Sequence, residues 1–426
     1  MGGLAQLERA VVEAVDPARI EADLRALVSI PSVTGDEEEV QEWLAAALRE
    51  LELEVRHFDA GVEGIAADPA WPGAEMERST LPLVIGRMGS GAFPEGVERR
   101  LILSGHVDVV PPGDPTTWAG APFEPLVADG RLIGRGACDM KGGVASILGA
   151  VRALRAAGAP LDGELLVVFV PSEEDGGQGT LAAIRAGCTG DAAIIAEPTG
   201  LRIVVAHAGA LTFRLTVPGR AAHASKRMEG VSALDKLMVL VRALEDDEVD
   251  RNASESNPLM VALGLPYPTI IGKVWGGEWA STVLDRVVAE GRYGVRLGQT
   301  AREAAEDLRI VIERAAAADP WLRDHPPILE FTGGRFDSAE VPADHPLPTG
   351  LAEAMLDAVG SEPLRVGEPY GADMQLFVRQ GDTPTVLFGP GSVADAHAAN
   401  ESVPLDEVVA CARALALWVV RELATR

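Results

Sequence analysis

Three short stretches of this chain are apolar at every position rather than at alternate ones: Leu101-Ile102-Leu103, Leu165-Leu166-Val167-Val168-Phe169-Val170 and Ala192-Ala193-Ile194-Ile195-Ala196. Side chains alternate across a sheet, so a strand reads this way when both of its faces are covered. Segments of helical length follow at 142–157 and 179–186. A fourth buried run, Thr385-Val386-Leu387-Phe388, precedes a closing helix at 404–423. Buried strands alternating with helices predict an α/β fold, a mostly parallel sheet flanked by helices.

The pattern changes near residue 207. Leu211 to Val217 alternates with period two, as a half-exposed strand does. A helix at 230–246, strands at 268–275 and 286–296, a helix at 301–317 and a strand at 328–332 follow. They predict an inserted α+β unit over 207–334, interrupting a first domain formed by 1–206 and 335–426. Before all this, 20–55 reads as two helices broken at Ile30 to Gly35, with Asp36 placed to cap the second. Residues 59–97, rich in Gly, Pro and Ala, predict an irregular insertion with one strand near Leu83-Val84-Ile85.

Composition removes whole classes of function. A net charge of −27 repels nucleic acid and anionic membranes, so neither is an expected partner. No run of about 18 apolar residues exists, and Met1 to Asp16 does not read as a signal peptide. Cys138, Cys188 and Cys411 are odd in number and widely spaced, which argues against a disulfide framework and for a reducing cytoplasm.

The chemistry collects where the apolar strands stop. In an open sheet of this kind ligands bind at the carboxyl ends of strands. Ser104-Gly105-His106-Val107-Asp108 puts an imidazole and a carboxylate two apart, on one side of extended chain. Asp108 can then hold the ring of His106 toward a metal. Asp139 sits in the glycine-flanked turn Gly134-Arg135-Gly136-Ala137-Cys138-Asp139-Met140-Lys141-Gly142-Gly143, where a plain helix cap would also explain it. Pro171-Ser172-Glu173-Glu174-Asp175 sets three acids directly after a buried strand, a costly arrangement unless something compensates. Neighbouring residues in extended chain point opposite ways, so of Glu173 and Glu174 one can serve a metal and the other a water. Ala196-Glu197-Pro198-Thr199 and Ala396-His397-Ala398 complete the set. Each motif alone is weak. Together His106, Asp139, Glu174, Glu197 and His397 supply two imidazoles and three carboxylates, a donor set for two divalent ions, zinc first, with cobalt or manganese as alternatives.

Those motifs, from about Ser29 to the C-terminus, resemble the co-catalytic metallopeptidase family that includes acetylornithine deacetylase, succinyl-diaminopimelate desuccinylase, aminoacylase and the glutamate carboxypeptidases. Trp118, Pro122 and Phe123 match the family's loop after its first histidine. The resemblance implies the zinc-exopeptidase-like fold and a division of labour. His106 and Glu197 hold one ion, Glu174 and His397 the other, and Asp139 bridges them. Asp108 orients His106, and Glu173 carries a proton from water to the leaving nitrogen. It also implies a cis peptide between Asp139 and Met140. Gly219-Arg220-Ala221-Ala222-His223-Ala224-Ser225 resembles the lid motif whose histidine reaches a partner subunit's site. That implies a homodimer through the lid, with His223 stabilising the oxyanion.

The departures concern the substrate. Ser281-Thr282-Val283-Leu284-Asp285 lacks the family's asparagine, and Gly371-Ala372-Asp373 replaces its Gly-Thr-Asp. Arg296 matches a position that binds a substrate carboxylate, with Arg292 four residues earlier, and Gly371 is a second substrate-side candidate. The expected reaction is removal of an acyl group from a small N-acyl amino acid or related amine. Dipeptide or carboxy-terminal cleavage, deformylation of a non-amino-acid amine, and a non-catalytic relative are the alternatives.

Overall fold

The computed structural model describes residues 2–89 and 99–424. The end of the expected 59–97 insertion therefore lies outside the described residues. Nine strands form one sheet. From one margin they run Glu54–Asp59, Pro82–Gly89, Glu164–Val170, Arg100–His106, Ala192–Ile195, Thr385–Leu387, Ile203–His207 and Ala339–Glu340, with Arg365–Glu368 also paired to Ile203–His207. The four strands from Glu164–Val170 to Thr385–Leu387 are mutually parallel. Antiparallel pairs flank them on both sides, so the sheet is mixed, with the parallel centre anticipated from the apolar runs. Every residue of Glu164–Val170, Ala192–Ile195 and Thr385–Leu387 is buried, as expected of strands covered on both faces.

Helices Gly2–Glu13, Pro17–Ser29, Gly142–Ala156, Pro346–Val359 and Leu405–Leu423 pack together as one layer, while Glu38–Glu50 and Gln178–Arg185 lie against the antiparallel side of the sheet. Local chemistry sets their ends. Asp16 accepts from the amides of Ala18 and Arg19, and Pro17 occupies the first turn where no amide is needed. The expected Asp36 cap does not form. The cap position is Glu37, which makes no cap bond because its carboxylate is drawn inward to Arg78. The helix Gly2–Glu13 carried no clear sequence signal. It is held in part by Arg421, which donates to Glu8. Residues 59–89 are more regular than anticipated. A short helix, Val62–Ala66, precedes a strand, Pro82–Gly89, that pairs on both sides.

The chain leaves the large sheet at Ala208 and returns at Ala339. Between them four antiparallel strands, Thr269–Gly276, Arg286–Val295, Gly209–Pro218 and Ile328–Phe336, form a second sheet in that order. Leu211, Phe213, Leu215 and Val217 point into a separate core with helices Ala233–Ala253 and Ala301–Ala318, while Thr212, Arg214 and Thr216 are half-buried. That is the alternation read from the sequence.

His207 marks the first crossing. Its ring is fully buried, with Nδ1 2.8 Å from the Ala208 carbonyl and the Tyr370 main chain also beside the ring. Burial lowers its pKa to about 4, well below that of an unfolded histidine. The unfolded chain therefore takes up this proton first as pH falls. The stability held by the neutral ring is complete above about pH 6.5 and is lost progressively toward pH 4, by about 3 kcal/mol. Urea unfolding at pH 7 and pH 4 should show a loss smaller by that amount in His207→Gln. Equal losses in both proteins would refute it.

Candidate active site

Because the four central strands are parallel and adjacent, their carboxyl ends open onto one edge. His106 ends Arg100–His106, Glu173 and Glu174 follow Glu164–Val170, Glu197 follows Ala192–Ile195, and His397 lies in the loop beyond Thr385–Leu387. Asp139 is not at a strand end. It lies in the turn Ala137–Lys141 that opens helix Gly142–Ala156, and its peptide to Met140 is cis. Gly143 lets that helix approach, since a Cβ there would stand 1.9 Å from the Ala196 carbonyl.

All five expected ligands converge. Asp139 stands between the two imidazoles, Oδ1 at 3.0 Å from Nε2 of His106 and Oδ2 at 3.5 Å from Nε2 of His397. Glu197 is 4.0 Å from His106, and Glu174 is 3.1 Å from His397. Suitable ligand atoms of His106, Asp139 and Glu174 all fall within 4.8 Å of one another. Asp139, Glu173, Glu174, Glu197 and His397 border a cavity of about 130 Å³, with His106 behind Asp139 and Glu197.

Asp108 is placed as expected but acts through different atoms. Nδ1 of His106 donates to the main-chain carbonyl of Asp108 at 2.9 Å, whereas the carboxylate is 3.6 Å away. That carboxylate instead accepts from the amides of Glu173 and Glu174, both at 3.1 Å, and from the Thr34 hydroxyl at 3.2 Å. Asp108 thus ties the histidine strand to the turn bearing both glutamates. On the other flank Glu401 accepts from the amides of Cys138 and Asp139 at 2.9 and 3.0 Å and pairs with Arg135. Sequence reasoning assigned Glu401 no task, although it follows His397 by four positions.

The electrostatics are those of a crowded anion cluster. Burial, then repulsion from Glu197 and Asp373, holds the Glu173 carboxyl well above the usual range. Burial raises Glu197 to about 8 and Glu174 to about 7, with Asp139 adding to both. Burial also opposes ionisation of Asp139, but hydrogen bonds from His106 and His397 outweigh it and lower its pKa. His397 is raised to about 10 by its bonds to Asp139 and Glu174. Oε1 of Glu197 is buried without a partner. So much buried negative charge calls for cations, and two imidazoles with three carboxylates are a fitting donor set for divalent ions.

Residues 102–421 match Peptidase family M20/M25/M40. The chain belongs to this family. As a family M20 member it is a hydrolase of amide bonds. An N-formyl-4-amino-5-aminomethyl-2-methylpyrimidine deformylase from Halalkalibacterium halodurans is 30% identical over 358 residues, 77% of this chain and 80% of that one. An acetylornithine deacetylase from Yersinia pseudotuberculosis is 30% identical over 317 residues, 72% and 74% of the two chains. The crystal structure of a Bacillus subtilis dinuclear metal binding peptidase of family M20 shares the fold, with TM-score 0.63 at 17% identity over 95% of this chain and 98% of that one.

The remaining candidates divide. Gly371 lines the cavity beside Tyr370, and a side chain there would collide with Phe336, whose Cβ lies 2.3 Å from the position a Cβ would take. Arg296 does not reach the cavity. It follows the strand Arg286–Val295 and faces Gln299 at 3.4 Å and Asp307 at 4.0 Å. Arg292 comes nearer, donating to the Pro369 carbonyl next to Tyr370. Arg292 lies within the strand Arg286–Val295, whereas Arg296 lies just beyond its end. His223 is exposed, its Nδ1 accepting from the Ser225 amide, and it lies outside the cavity of its own chain. Cys138, Cys188 and Cys411 are free and buried. Among the described residues no helix is long and apolar enough to cross a membrane.

Proposed function

We propose that this family M20 member is a two-metal deacylase that hydrolyses the amide bond of a small N-acyl amino acid or related N-acyl amine. The observation that carries this reading is Asp139 poised between His106 and His397, with Glu173 beside them and unengaged. Among the described residues nothing hydrogen-bonds the Glu173 carboxylate. His106, Asp139 and Glu197 would hold one ion, and His397, Asp139 and Glu174 the other. Zinc suits this mixed nitrogen and oxygen set, and cobalt or manganese would also fit. When bound, the two ions polarise the substrate carbonyl and acidify water.

The chain's own residues do the rest. Asp108 fixes His106 through its carbonyl and fixes Glu173 through that residue's amide. Glu173 takes a proton from the attacking water and delivers it to the leaving nitrogen. A carboxylate crowded by other carboxylates holds a proton more tightly than a solvated one, which suits that shuttle. His223 acts in a partner copy, donating to the oxyanion. Residues 207–334 form the lid and the dimer contact. Support comes from the edge strand Thr269–Gly276, largely exposed, with Trp275 and Trp279 exposed beside it. An edge of this kind offers unpaired amides and carbonyls to a second copy. Three buried free thiols suit a reducing cytoplasm.

A second reading, deformylation of a heterocyclic amine, is favoured by the deformylase relative and by Tyr370, whose ring offers the cavity a flat wall. A panel of N-acetyl and N-succinyl amino acids, N-formyl heterocyclic amines and dipeptides, assayed on metal-loaded protein, separates the readings. Cleavage of dipeptides alone would overturn both. His223→Ala should lower kcat about 100-fold with both ions retained, as loss of an oxyanion donor does. Unchanged kcat would remove His223 from the mechanism.

A further inference from the structure

Behind the turn that carries Glu173 and Glu174 lies a guanidinium that the reaction as described does not use. The Arg78 side chain is 1% exposed. Its Nη2 lies 2.8 Å from Oε1 of Glu37 and 3.8 Å from Oδ1 of Asp175, while Nη1 donates to the Thr80 carbonyl at 3.3 Å. Glu37 and Asp175 are almost fully buried; Oε2 of Glu37 has no hydrogen-bond partner among the described residues, and the Met76 main chain also bonds the Asp175 carboxylate. Asp175 immediately follows Glu174. It closes the turn by accepting from the Ser172 hydroxyl, in a loop where the Gly177 amide donates to the Ser172 carbonyl and the Gly176 amide to that of Glu173.

We infer that Arg78 is a positioning residue: it anchors the Ser172–Gly177 turn through Asp175 and thereby sets the direction of the Glu173 carboxylate. This rests on the reading of Glu173 as the proton carrier. The physical reason is charge. Asp108, Glu173, Glu174 and Asp175 crowd one end of the sheet, with Glu37 behind them. Metal ions would compensate the ligands among these residues, but neither Glu37 nor Asp175 is a ligand. Asp108 repels both of them. Arg78 is the cation that faces both. Without it two buried carboxylates stand uncompensated beside Asp108, a situation that strongly favours rearrangement. Rearrangement of Asp175 moves the turn, because Glu173 lies two residues away in the same hydrogen-bonded loop. A displacement of about 1 Å at a reacting group is enough to cost on the order of 100-fold in rate.

The segment bearing Arg78 is itself wedged into place. A Cβ on Gly176 would lie 2.9 Å from the Gly73 carbonyl oxygen, and the Arg335 amide donates to the Pro72 carbonyl. Residues 72–78 therefore run between the catalytic turn and the returning strand of the second sheet, with Arg78 as their charged contact to the turn.

The test compares Arg78→Met, Arg78→Lys, Asp175→Asn and the double variant Glu37→Gln/Arg78→Met, with Glu173→Gln as reference. Metal content, thermal midpoint, kcat and KM are measured for each. Arg78→Met should lower kcat 10- to 100-fold with both ions bound and KM within about twofold, and Arg78→Lys should recover part of that loss. The double variant restores charge balance, so it should regain thermal midpoint but not kcat, which a purely structural role would return together. Asp175→Asn, which keeps the Ser172 contact, should lower kcat with KM unchanged. If Arg78→Met does not fold, the double variant and Asp175→Asn decide alone. Values of kcat within threefold of wild type in the folded variants would overturn the inference, and so would a kcat loss matched by loss of metal. An active Glu173→Gln would instead sink the reading beneath it, whereas an inactive Glu173→Gln beside an active Arg78→Met would sink the anchoring by Arg78 alone.

Discussion

Glu173→Gln should bind two divalent ions as the wild-type chain does and turn over about 10²- to 10⁴-fold more slowly, the range a positioned proton carrier contributes. The change is nearly isosteric and keeps the main-chain amide that donates to Asp108. It leaves His106, Asp139, Glu174, Glu197 and His397 in place, so metal content and thermal midpoint should hold. What disappears is the capacity to accept a proton at that atom. The carboxylate is suited to the task because among the described residues nothing hydrogen-bonds it and because burial and adjacent acids raise its proton affinity. KM should change little, since a group needed mainly in the transition state contributes little to substrate binding. Turnover within tenfold of wild type, measured with metal stoichiometry on the same sample, would show that another group moves the proton.

Removal of the ions should abolish turnover altogether, and zinc, cobalt or manganese should restore it. The same treatment should lower stability. Asp139, Glu174 and Glu197 are held among further acids, and without cations His106 and His397 are left to offset their repulsion. An ion present at 100 times its dissociation constant stabilises the folded state by about 2.7 kcal/mol. Chelation should therefore shift the thermal midpoint downward as well as silence the enzyme. Activity persisting in protein shown by elemental analysis to be free of metal would end the two-ion reading.

Much of this site was legible before any coordinates. Fully apolar runs mark strands covered on both faces, and polar residues placed directly after such runs stand at the rim where parallel strands open. That logic located His106, Glu173, Glu174, Glu197 and His397. It located Asp139 by its glycine-flanked turn, though the turn opens a helix instead of ending a strand. Period-two alternation likewise gave the inward face of the second sheet.

What spacing could not supply were partners far apart in the chain. Asp108 serves the amides of Glu173 and Glu174, 65 and 66 residues on, and Glu401 holds the Asp139 amide from 262 residues away. Arg78 meets Glu37 across 41 residues, from a segment whose composition predicts an irregular insertion. Arg292, inside the strand Arg286–Val295, neighbours the cavity wall, and Arg296, just past the end of that strand, does not. The sequence by itself determined which side chains could do chemistry, because period and burial act locally and leave a local trace. Tertiary structure alone decided which atoms meet, because hydrogen bonds and ion pairs depend on distance in space, which residue order does not encode.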